Sequence, residues 1–229
     1  MEFSLPAVLF AGLTIVIYLV ANILYLKYRK TLLNPVLTAT IAIVLILLFF
    51  NIPYNTYMAG GDWIAQLLGP AVVALAIPLY KQRDLMTANL LSIAAGIAVG
   101  VIVGMVSGVL FTKWLAFSEE LVLTMLPKSL TTPVAMQVAT GLGGIPSLAA
   151  VFVMTAGFAG IIFGPHFLKW LHIDSSIGRG IGLGTSAHGL GTAKAFEYGP
   201  EEASLSSLAM TLSAVIGSAI APIVAWIFL

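Results

Sequence analysis

The chain contains no cysteine, and only 8% of its 229 residues are charged. The first absence excludes a disulfide, a thiolate metal site and a cysteine nucleophile. The second leaves too little polar surface to coat a soluble domain of this length. Charge of either sign is nearly balanced, with a formal net charge of +1 and no basic cluster beyond Lys27 to Lys30, so the electrostatic footprint of nucleic-acid binding is missing. The three histidines, His166, His172 and His188, lack metal-ligand spacing and no acidic cluster completes a site, so neither a metal nor another cofactor is expected. There is no Gly-x-Ser-x-Gly elbow, and Ser186 and His188 stand two apart, a spacing that does not face on a helix. Gly178 to Gly184 lacks the preceding strand of a dinucleotide fingerprint. An enzyme is therefore not expected.

What is abundant is hydrocarbon. Hydrophobic residues make up 60% of the sequence, and the mean hydropathy is +1.07. A helix crosses the roughly 30 Å of bilayer hydrocarbon with about 20 apolar residues, which leads to an all-α polytopic membrane protein of about seven or eight segments in a single domain over residues 1–229. Met1-Glu2-Phe3 lacks a basic leader region and runs into an apolar stretch of spanning length, read as a retained helix. Hydropathy predicts spans at Leu5–Leu26, Pro35–Ile52, Ile64–Tyr80, Ala88–Phe111, Ser147–Leu168 and Ala203–Leu229. Between Glu119 and Gly144, and between Asp174 and Gly199, the apolar runs are short and interrupted by Pro127, Pro133 and ten glycines, the pattern of broken or re-entrant helices.

Lys27, Arg29 and Lys30 follow the first span, so the N-terminus is expected outside. Lys113 becomes an outer base, and Lys169 and Arg179 fall inside if Glu119–Gly144 enters and leaves by one face. An offset of about 111 to 115 residues lays Asn34-Pro35-Val36-Leu37 over Ile145-Pro146-Ser147-Leu148 and Leu68-Gly69-Pro70 over Leu183-Gly184-Thr185, giving an expectation of inverted repeats 1–114 and 115–229. Gly96, Gly100, Gly104 and Gly108 recur every four residues on one helix face, where another backbone, of this chain or of a second subunit, approaches closely.

Two constellations draw polar chemistry into the apolar chain. In Lys128-Ser129-Leu130-Thr131-Thr132-Pro133, Thr132 is placed to cap a half-helix that Pro133 begins, and such an N-terminus attracts anions. In Gly182-Leu183-Gly184-Thr185-Ser186, the glycines are expected to break one helix and the hydroxyls to cap the next. His188 and Thr192 then share a face, with Lys194 two residues beyond. The candidate substrate-binding residues are Thr131, Thr132, Pro133, Thr185, Ser186, His188, Thr192 and Lys194, an array suited to a small carboxylate. For Lys194 the competing reading is a lysine snorkelling to a headgroup or paired with Glu197, Glu201 or Glu202 at a helix end. For His188 proton coupling competes with neutral packing.

Lys128 to Met136, Gly143 to Phe152, Gly164-Pro165, Gly184 to Glu197 and Ser206 to Met210 together resemble the LrgB/CidB family of bacterial membrane proteins. The resemblance implies a multi-pass protein of the bacterial inner (cytoplasmic) membrane, working with a small LrgA/CidA-type membrane partner. It also implies one of two activities: transport of small monocarboxylates of the pyruvate, lactate, glycolate or glycerate class, or antiholin-like control of murein hydrolases and autolysis. The plant plastid glycolate/glycerate transporter is similar to a fusion of the two partners. Transport, with proton coupling and a homo-oligomer as further expectations, accounts better for broken helices and buried hydroxyls.

Overall fold

The computed structural model describes residues 4–229 except 31–32, 68–69, 71–72, 75 and 82. All of its regular structure is helical among the described residues, and four helices are long and apolar enough to cross a bilayer. The chain is an all-α membrane protein. It forms two compact units, residues 1–71 and 72–229.

The first unit holds α1 (Leu5–Tyr28), α2 (Pro35–Phe49) and α3 (Tyr54–Ala65). Ser4 caps α1 by accepting from the Ala7 amide at 3.4 Å, and Asn34 caps α2 by accepting from Val36 at 3.0 Å, each with a proline in the first turn. Gly60 lets α3 lie on α1, since a Cβ there would stand 2.6 Å from the Ala11 amide nitrogen. Thr14 and Tyr57 hydroxyls join the same pair at 3.0 Å. Part of the span predicted at Ile64–Tyr80, with Leu68 and Gly69 of the repeat match, lies outside the described residues.

The second unit contains the short α4 (Ala76–Lys81) and α5 (Arg83–Ala88), then α6 (Leu90–Trp114), α7 (Glu119–Met125), a 3₁₀ turn (Leu126–Ser129), α8 (Thr132–Leu142), α9 (Pro146–Trp170), α10 (Ser176–Ala195) and α11 (Pro200–Phe228). Ile93, Ile97, Val101, Met105 and Val109 form a buried row along α6, packed with Leu205 and Leu208 of α11 into the main core.

Two segments of this unit turn back on themselves. From α7 the chain passes through the 3₁₀ turn, extends at Leu130 and returns as α8. The return is closed where the Ile145 amide donates to Thr124 Oγ1 at 2.9 Å, so α8 runs back along the hairpin and α9 starts beside the last turn of α7. Gly143, at φ 88°, ends α8 in a left-handed cap that few other residues tolerate. The second segment is α10, whose helix stops at His188, φ 51° and ψ −128°. Beyond it Gly191 rests on the Leu183 carbonyl, and Tyr198 lies under the Arg179 guanidinium 5.3 Å from its ring centre. Entry and exit are therefore adjacent, and both segments are re-entrant hairpins.

The hairpins enter from opposite faces. Trp114, Ile145 and the end of α11 share one face, where Lys113 Nζ donates to the Phe228 carbonyl. Trp170 ends α9 at the other, where Leu168, Ala195 and Ala203 pack together.

Candidate functional site

The tips of the hairpins meet. His188 Nε2–H donates to the Lys128 carbonyl at 3.2 Å, while Nδ1 is buried with no partner among the described residues. His188 occupies backbone space that costs a residue with a Cβ about 1–3 kcal/mol, so the tertiary bond holds a break that local preference opposes. The expected break at Gly182–Gly184 is corrected: the helix runs through those residues to Ala187. Gly180 and Gly184 serve close approach to α11, Gly184 meeting Ser206 backbone and Gly180 the Leu205 side chain, and neither glycine needs to leave the helix to do so.

Beside the tips lies a cavity of about 710 Å³. Gly100, Val103 and Gly104 of α6, Ala156, Ala159 and Gly160 of α9, Lys128 and Ser129 of the first tip, and Thr185 and Ser186 of the second line its centre. Phe163, Phe167, Leu168, Leu171 and Ile173 continue the wall toward the face where α9 ends. The glycine stripe of α6 is the bed on which the tips rest: Cβ atoms would stand 3.2 Å from Ile181 Cγ2 at Gly96, 3.1 Å from Thr185 Oγ1 at Gly100 and 2.9 Å from Lys128 Cε at Gly108, and at Gly104 would run into Ser129 Oγ. The stripe thus packs within the chain.

The hydroxyls do not cap a helix. Thr185 Oγ1 donates to the Ile181 carbonyl at 2.7 Å, Ser186 Oγ to Gly182 at 2.6 Å and Thr155 Oγ1 to Val151 at 2.8 Å. Their protons are already committed to backbone oxygens four residues back, so they present lone pairs to the cavity. Lys128 is different. Its ammonium has three protons and directs one at Ser129 Oγ, 3.3 Å away. Among the described residues no carboxylate comes within ion-pair distance of it; the pairs formed are Arg83 with Asp84, Arg179 with Asp174 and Lys194 with Glu197.

Of the sequence candidates, Thr185 and Ser186 line the cavity, and His188 braces it from behind. Thr192 sits on the returning leg, its hydroxyl 3.1 Å from both the His188 carbonyl and Ser206 Oγ. Thr131 is the N-cap of α8 without a side-chain cap bond, followed by Thr132 and then Pro133, one residue earlier than the capping expected of Thr132. These three are half-buried near the first tip and do not line the cavity. Lys194 is not among the lining residues either; it is held by Glu197 Oε2 at 2.6 Å. Lys128 and Ser129 are the residues that sequence reasoning passed over as site members. A lysine directly before a hydroxyl in an interrupted apolar segment was the available signal.

No solved structure matches the chain. Over 228 residues, all of this chain and 99% of the relative, it is 51% identical to YxaC of Bacillus subtilis. It is 39% identical over 222 residues, 97% of each chain, to a protein of Staphylococcus aureus named holin-like protein CidB, and 38% identical over 224 residues, 98% of each, to the Staphylococcus epidermidis protein of that name. The model of the LrgB-like family matches residues 14–227. The chain belongs to the LrgB-like family.

Proposed function

We propose that this protein carries small monocarboxylates across the bacterial cytoplasmic membrane, with Lys128 as the group that receives the carboxylate. The observation that supports this is a lysine lining an apolar cavity without an acidic partner among the described residues. Placing a lysine at the centre of a spanning segment costs about 2.5–3.5 kcal/mol on insertion scales, and a bound carboxylate offsets that cost. One free cation matches one negative charge, so a second carboxylate on the ligand would stay uncompensated. The lone pairs of Ser186 and Thr185 match a ligand hydroxyl, which donates, better than a keto oxygen, which only accepts.

Uptake of labelled glycolate, lactate, glycerate and pyruvate into proteoliposomes, with and without a small LrgA/CidA-type membrane protein, tests the proposal. The three hydroxy acids are expected to exceed pyruvate, and succinate to be excluded. Absence of uptake of all four acids with the partner present would overturn it. In that event the second reading gains, an antiholin-like regulator of murein hydrolases and autolysis, which is favoured by the holin-like name of the CidB relatives.

A further inference from the structure

The end of α6 and the end of α9 are the same structure made twice. Phe111, Lys113, Trp114 and Leu115 recur 56 positions later as Phe167, Lys169, Trp170 and Leu171. Ala116 at φ 55° and His172 at φ 54° supply the same left-handed cap. Phe117 donates to the Thr112 carbonyl at 3.1 Å, and Ile173 donates to Leu168 at 2.8 Å. Both helices have 25 residues, and each is followed by a serine N-cap, Ser118 or Ser175, that opens a re-entrant hairpin. Since α9 starts at the face where α6 ends, the two copies run in opposite directions.

The copies also meet symmetrically. At the centre of the cavity, Gly100, Val103 and Gly104 face Ala156, Ala159 and Gly160, each pair 56 positions apart. Lys128 and Ser129 correspond to Thr185 and Ser186 at a shift of 57, one residue having been added before the second hairpin. The symmetry of the lining fails toward the α9-end face: Phe163, Phe167, Leu168, Leu171 and Ile173 line the cavity there, while Ser107, Phe111, Thr112, Leu115 and Phe117, their counterparts, do not, and Thr112 is 2% exposed.

We infer that Leu90–Ile145 and Pro146–Gly199 are inverted repeats about an axis through the cavity, and that the protein has a second conformation, opening the same cavity past Thr112 to the α6-end face. Two copies of one sequence pattern pack in two ways of similar energy when each takes the place of the other, which is how inverted repeats give alternating access. The repeat is half the length of the one expected from the two halves of the chain. This inference rests on the transport reading for its purpose, and its test does not depend on the substrate.

The chain has no cysteine, so single cysteines report alone. Leu168→Cys, Thr112→Cys and Ala159→Cys, each in proteoliposomes of known orientation, are exposed to a membrane-impermeant maleimide on one side at a time. Leu168→Cys is expected to react from the α9-end face, Thr112→Cys from the α6-end face, and Ala159→Cys, at the centre, from both. Labelling of Ala159→Cys from the α9-end face alone, with Thr112→Cys inert from both sides, would overturn the second conformation. If labelling follows the expected pattern while none of the four acids is taken up, the alternation stands and the substrate assignment falls.

Discussion

Lys128 and Lys194 are both lysines in an apolar chain, and their neighbours separate them. Lys194 is satisfied by Glu197, three residues on and more than half exposed at its side chain, a pair of the kind worth at most about 1 kcal/mol. Among the described residues Lys128 has only Ser129 Oγ and the cavity. A hydrogen bond to a charged group contributes about 1.5–3 kcal/mol, so Lys128→Ala is expected to weaken carboxylate affinity about ten- to a hundredfold while the protein remains folded. Lys128→Arg should retain part of the uptake, and Lys194→Ala nearly all of it. Competition binding and uptake on the three variants check this. A Lys128→Ala protein with unchanged uptake, or a Lys194→Ala protein that binds nothing, would reverse the assignment.

At the scale of elements, the glycines divide by what lies against them. Gly184 faces the backbone of Ser206 and Gly191 the carbonyl of Leu183, and backbone cannot swing aside as a flexible side chain can. Alanine at either position is expected to lower thermal stability in detergent, within the range of about 1–3 kcal/mol usual for overpacking, and to separate α10 from α11 or force its hairpin open. Gly141 has nothing within 4 Å of an added Cβ and lies inside α8, where alanine is favoured over glycine by about 1 kcal/mol. Gly141→Ala should therefore hold or raise the melting temperature. Equal losses for all three would mean that the close contacts at Gly184 and Gly191 are not what the glycines provide.

At the scale of the whole molecule, charge assigns the faces of the second unit. Lys169, Arg179 and Lys194 belong to the face where α9 ends, whereas Lys113 stands at the opposite one beside the end of α11. Positive residues concentrate on the cytoplasmic side, so the cavity as it stands is expected to open inward and the end of α11 to lie outside. A phosphatase reporter joined after Leu229 should be active and a fluorescent-protein fusion at the same point dark. The reverse result would invert the unit and make the present opening the outward one.

The composition alone determined that this is a helical membrane protein, because 60% hydrophobic residues with 8% charge admit no other solvent than lipid. Helix limits came within a few residues at Leu5, Pro35 and Pro146, since prolines and capping side chains act on adjacent backbone. The two interrupted segments were legible as hairpins for the same local reason. Where the second one breaks was not. Gly182 and Gly184 permit a break as readily as a close packing contact, and only the bond from His188 to the Lys128 carbonyl, sixty residues away, decides between them. The same holds for the lysines: both carry one charge at the edge of an apolar run, and which one faces a carboxylate and which the cavity depends on how the hairpins fold back. Partnership across the chain is set by tertiary packing, which the spacing of residues does not encode.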